Sequence, residues 1–274
     1  MKKTHYIVLI LAIGLAGCKK NEVTDKSSSN LQKRNIAAYS VSESRELTDS
    51  QVDSIANAHN SQLTKAMANM NWSAIPLKTE AQKAFQNLWN SGMPVTYATY
   101  CSYFPANPKT GLDSTLLDSS LMNPSAFYTT YYDVLSYVSN EQHSYTDIAN
   151  YIDAKKSVVI SSQTGSDIDR TLIFLQTTKT SAYFWLSTNR GGSGIGYGYI
   201  HTWCINNGVD PNVVLAAPTL GGVMTADAIG ATKAWLVIGL CLCPTPVTLG
   251  AVAAIVGGSA AWDSFMYIVL SYMF

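Results

Sequence analysis

Between Lys233 and Asp263 the chain carries no charged side chain, so Ala234 to Trp262 is a run of 29 residues that has to be kept from water. As one helix rising about 1.5 Å per residue it would exceed the hydrocarbon thickness of a bilayer. Pro244 and Pro246 divide it. Proline lacks an N–H and drives the preceding residue out of the helical region, so the expected object is an apolar helical hairpin with arms from Ala226 to Leu242 and from Val247 to about Trp262. Gly250, Ala254 and Gly258 recur at intervals of four, as do Ala253, Gly257 and Ala261, a spacing that lets a second helix approach closely. A helix apolar on every side belongs either in the centre of a domain or in a membrane. The length and the small residues tilt the expectation toward membrane contact. The alternative is that the tail is the core of the domain, because the helices upstream each need an apolar partner.

Those helices are read from their periodicity. Thr48-Asp49-Ser50-Gln51 has the form of a capping box, after which Val52, Ile55, His59, Leu63, Ala66 and Met67 recur at threes and fours. His59 lies on this apolar stripe beside Asn60, with no carboxylate at a useful spacing, and reads as a core histidine bonded to another helix. Thr79 to Ser91 repeats the pattern. Phe127, Tyr131, Val134 and Val138 form the next stripe, and Ser144 to Asp147 caps a helix through Ile148, Ile152 and Val159. Ser166 opens the clearest amphipathic segment, with Ile168, Leu172, Leu175, Lys179, Ala182 and Leu186 along one face. Its aromatic end, Tyr183-Phe184-Trp185, reads as core. Residues 93 to 124 are expected to form an irregular connection, with a short helix at Ser114 to Leu121.

From Gly191 to Tyr199 an opening Gly-Gly pair is followed by three glycines that alternate with Ser193, Ile195, Tyr197 and Tyr199. A phosphate-binding loop would need a strand before it, a helix after it and a Lys-Ser or Lys-Thr pair, none of which is expected here. The stretch reads as a Gly-Tyr loop whose rings, with His201 and Trp203 at its end, meet lipid headgroups, sugar or the domain itself. The fold class expected from these elements is mostly α, a bundle of amphipathic helices with a Gly-Tyr loop and an apolar C-terminal hairpin.

At the other end, Met1-Lys2-Lys3 is followed by an apolar run to Leu15 and then by Ala16-Gly17-Cys18. This resembles the bacterial lipoprotein signal, whose Leu-Ala-Gly-Cys box is matched residue for residue by Leu15 to Cys18. The resemblance implies cleavage before Cys18, diacylglycerol on its sulfur, an acyl chain on its amine, and a place in the cell envelope, anchored in the outer membrane. Two or more chains are needed because one holds a protein only marginally. Ser166 to Trp185 and Gly221 to Ala261 also resemble a loosely defined group of uncharacterised exported bacterial proteins, in which a helical region ending in aromatics precedes a Gly/Ala-rich, bacteriocin-like tail. That resemblance implies export and membrane activity, and no enzyme; Cys241-Leu242-Cys243-Pro244 departs from the type. The organisation expected is a signal peptide over 1–17, the lipidated Cys18 and a flexible tether over 18–45, a helical domain over 46–220 and the apolar tail over 221–274.

Loss of Lys2 and Lys3 with the signal leaves 16 basic against 18 acidic side chains, too even a balance for a nucleic-acid partner. The charged fraction of 13% is well below the usual value of about 25%, which suggests that apolar surface meets a membrane or a partner. Four cysteines remain after Cys18. Cys241 and Cys243 are too close to bridge without strain, so the preferred disulfide is Cys101 to Cys204, and no cluster of the zinc-binding type is present. His59, His143 and His201 are widely separated, and no nucleophile or zinc-hydrolase motif occurs. No catalytic residue, metal or cofactor is expected. The function expected is that of an envelope lipoprotein interacting with membrane through its tail at Gly250, Ala254 and Gly258; the alternative is a surface module binding a protein or glycan partner.

Overall fold

The computed structural model describes residues 47–74, 77–92, 124–140, 142–163, 166–235 and 246–272. The signal, Cys18, the tether, the expected helix at 114–121, and Cys101, Cys241 and Cys243 lie outside them.

The chain enters its first helix through the cap that its sequence announces. The Thr48 hydroxyl accepts from Gln51 N, and the Gln51 amide oxygen accepts from Thr48 N at 2.7 Å, so two otherwise unpaired donors of α1 (Asp49–Ala68) are satisfied. Ser144 and Asp147 do the same for α4 (Tyr145–Ser162); there the Ser144 hydroxyl and backbone hold the Asp147 carboxyl below its ordinary range. Between them lie α2 (Leu77–Gly92) and α3 (Pro124–Val138). After them come α5 (Ser166–Trp185), α6 (Ile195–Asn206), the short α7 (Pro211–Val214), α8 (Ala217–Ala234) and α9 (Pro246–Tyr272). Among the described residues there is no strand, and the fold is a mostly α bundle.

Helices α1, α9, α8 and α5 pack in that order as a closed ring of neighbours, α5 returning to α1. Outside the ring, α2 lies on α1 and α9, α3 and α4 on the α5–α8 side, and α6 on α5 and α1. This position explains why α5 departs from its expected one-sided character. Every residue from Ile168 to Thr178 is buried, polar ones included, because neighbours cover the helix on several sides. Its entry is fixed by Asp169, whose carboxylate accepts from the backbone nitrogen of Leu47 at 3.2 Å.

The apolar tail is part of this ring. The expected boundary at 220 falls inside α8, and α9 is buried at Val252, Ile255, Val256, Ala260, Ala261, Trp262, Phe265 and Ile268. Among the described residues no helix is long and apolar enough to cross a membrane. The close contact also runs along a different stripe from the one expected to matter. Of the first stripe, Gly250 is exposed with open space around it, Ala254 is half-buried and Gly258 is buried, whereas all three of Ala253, Gly257 and Ala261 are buried. A β-carbon at Gly257 would stand 2.6 Å from the Ala58 carbonyl carbon and the His59 nitrogen, and one at Gly230 would stand 2.9 Å from Ala260 Cα. Glycine is what allows α9 to touch the backbone of α1, and α8 that of α9.

The Gly-Tyr stretch is a tight reversal followed by a helix rather than a loop throughout. Gly191 and Gly194 adopt left-handed φ values of 80° and 71°. The turn folds onto the end of α5, where Ser193 N donates to Tyr183 O at 2.7 Å and Gly194 N to Leu186 O at 3.1 Å. Helix α6 then runs from Ile195 with Gly196, Ile200, Trp203 and Cys204 buried, a helical spacing that the glycines obscure. Gly196 is required by contact, since a β-carbon there would lie 2.5 Å from the rings of Phe184 and Trp185.

Two glycines of one helix should therefore respond in opposite ways to the same change. Gly257→Ala should destabilise the protein by about 1–3 kcal/mol through overpacking, while Gly250→Ala should stabilise it by about 0.5–1 kcal/mol through helix propensity. Urea unfolding of both variants checks the pair, and equal effects would contradict the assigned contact.

Candidate functional site

At the centre of the ring, His59 of α1 faces Asp227 of α8. His59 Nε2 lies 2.7 Å from Asp227 Oδ1, both side chains wholly buried, although the N–H is not aligned well enough on that oxygen to count as a regular hydrogen bond. The contact is therefore a close polar contact rather than a linear bond. On the other side of the ring, His59 Nδ1 is 2.7 Å from the Asn60 amide oxygen, and the Asn60 nitrogen donates to Thr180 O of α5 at 3.0 Å. That orientation makes Nδ1 the donor to Asn60. The second oxygen of Asp227 accepts from the Ser181 hydroxyl and, at 3.0 Å, from the Trp185 indole nitrogen. Three helices of the ring are thus tied to one carboxylate, and the fourth, α9, presses on the backbone at His59 through Gly257.

Histidine, aspartate and serine are the residue types of a hydrolytic triad, but the geometry is different. A nucleophilic hydroxyl has to bond to the imidazole that takes its proton. Here Ser181 bonds to the carboxylate instead, and Ser181, His59 and Asp227 are all sealed from solvent. The network does structural work. His59 is the core histidine expected of its stripe, and its partner carboxylate lies on α8.

A different arrangement opens to solvent where the α1–α2 connection meets α6. Trp72, Ser73, Tyr199, Thr202, Trp203 and Asn206 border a groove of about 700 Å³, within the range of small-molecule sites. Trp72 is held firmly. Its indole nitrogen donates to Met67 O at 3.0 Å, its edge meets Phe265 with ring centroids 5.9 Å apart at 90°, and it stacks on Tyr199 at 5.5 Å and 17°. The groove residues named here include no charged side chain.

The remaining expected site residues fall elsewhere. Cys18 and Cys101 lie outside the described residues. Cys204 is a free thiol buried in α6, and burial, with Asp210 nearby, pushes its pKa up. His143 stacks on Tyr137 with centroids 3.8 Å apart, and His201 stacks on Tyr197 at 5.6 Å. Among the described residues no group of three or more metal-binding side chains is assembled. Sequence reading missed Asp227 because 168 positions separate it from His59, and it missed Trp72 and Ser73 because they sit in a short connection without a motif. Trp203 had been noted, and its spacing from Tyr199 along a helix is the signal that would have completed the groove. Compared with models of protein families, with curated proteins and with solved structures, the chain matches none.

Two outcomes follow from the network and from the thiol. Asp227→Ala removes the acceptor of Ser181 and Trp185 and leaves His59 facing a void, and should cost about 3–5 kcal/mol in urea unfolding; combining Asp227→Asn with His59→Gln should cost less than the sum of the single changes. The Cys204 peptide, followed by mass spectrometry, should be alkylated slowly at neutral pH in the folded protein and rapidly once it is unfolded, because the reactive thiolate is disfavoured by burial.

Proposed function

We propose that this chain is a lipid-anchored protein of the bacterial cell envelope, held in the outer membrane through Cys18, that presents its helical bundle as a binding module. The observation that carries the reading is the burial of α9: from Val252 to Trp262 this uncharged stretch is covered by neighbours, and among its described side chains no large apolar one is exposed to call for lipid. What the bundle offers outward instead is the uncharged groove beside α6. About thirty residues separate Cys18 from α1, and a flexible chain of that length would reach about 30 Å, enough to hold the groove clear of the headgroups. A membrane-active, bacteriocin-like role would require α8 and α9 to leave the ring, separating His59 from Asp227 and uncovering α1 and α5 together.

Cys18→Ala should release the protein from the membrane fraction of a bacterial host, as followed by cell fractionation. The unlipidated chain should leave liposomes intact and unfold cooperatively in buffer. Dye leakage from liposomes would assign the tail to membrane action and remove the module reading.

A further inference from the structure

Resting on the reading of the bundle as a binding module, we propose that the groove beside α6 binds a neutral, hydroxyl-rich ligand, a segment of glycan. Three features of the groove converge on this class. The first is aromatic surface fixed in place. Trp72 is locked by Met67 O, Phe265 and Tyr199, so little side-chain freedom remains to be lost when a ligand lies along it. Half-buried Tyr199 extends that surface along α6, and the largely buried Trp203, four residues on, lines the groove beneath it.

The second feature is a row of polar groups left over by the fold. Thr202 and Asn206 are exposed and lie one helical turn apart, so both reach the same side of α6. Neither side chain makes a hydrogen bond among the described residues, nor do the hydroxyls of Ser73 and Tyr199. Hydroxyl and amide groups both donate and accept, which is what a ligand carrying many hydroxyls requires. The third feature is the absence of charge among these residues. An anionic ligand would be drawn to Arg or Lys and a cationic one to Asp or Glu; a flat face with apolar C–H groups and a rim of hydroxyls needs rings and neutral polar groups, and those are what the groove supplies.

The test uses the chain from residue 18 onward with Cys18→Ser, retaining every described helix. Cellotetraose, maltotetraose and chitotetraose serve as neutral probes and tetragalacturonate as an anionic one, with binding read by tryptophan fluorescence and calorimetry. At least one neutral oligosaccharide should bind and tetragalacturonate should not. Trp72→Ala should weaken binding at least tenfold. Because Trp72 also packs on Phe265, Asn206→Ala and Thr202→Val are made in parallel; both positions are exposed, and each should weaken binding several-fold with an unchanged unfolding midpoint. Failure of all three neutral probes at about 10 mM overturns the glycan assignment. If tetragalacturonate alone binds and Asn206→Ala weakens it, the groove remains a binding site and only the ligand class is wrong. Binding of a neutral probe that none of the three substitutions affects overturns the groove as its location.

Discussion

The contact between His59 and Asp227 is the constraint around which the ring is arranged. An ionisable pair removed from water is costly unless each member finds its remaining partners. Here both do: Asp227 collects Ser181 and Trp185 from α5, and His59 collects Asn60, which in turn reaches the α5 backbone. Apolar packing alone would tolerate helices sliding or rotating against one another, since many hydrophobic arrangements have similar energies. A carboxylate that needs donors from two different helices tolerates much less. The network therefore fixes the rotation of α1, α5 and α8 about their axes, and Gly257 then sets the depth at which α9 lies against them.

This explains how α9, apolar as it is, comes to be buried along most of its described length. Composition alone leaves two environments open for a charge-free hairpin, lipid or protein, because both are apolar. The surrounding helices decide between them here. Asp227 gives α8 a polar requirement that a bilayer centre would not meet, and the buried faces of α1, α2 and α8 supply the apolar surface that α9 would otherwise seek elsewhere. Small residues serve both settings, which is why their spacing alone could not distinguish them. In this bundle the stripe of Ala253, Gly257 and Ala261 brings α9 against its neighbours within the protein.

The legibility of the sequence followed the range of the interaction concerned. Caps at Thr48 and Ser144 act over three residues, and the stripes of α1, α2 and α4 over a few turns, so their residues declare them directly. The all-round burial of α5 was hidden because its polar residues, such as Thr177 and Ser181, look like a solvated face until neighbours are known to cover them. The Gly-rich stretch misled for a related reason. Its glycines weaken any local preference for helix, and their use lies in tertiary contact, as Gly196 shows against Phe184 and Trp185. The groove combines a connection after α1 with residues of α6, more than a hundred positions later, and no local pattern joins them.

The ring also sets an order in which the protein can become itself. Helix α1 is made first, yet its neighbours in the ring begin at residues 166 and 246. At about 5–20 residues per second of synthesis, roughly 10–40 s separate the appearance of His59 from that of Gly257. Throughout that interval the stripe from Val52 to Met67 lacks the cover that α9 gives it, and contacts at such long separation form slowly even afterwards. The ring cannot close before α9 has been made, so the bundle acquires its interior only when synthesis has passed the last of its four members.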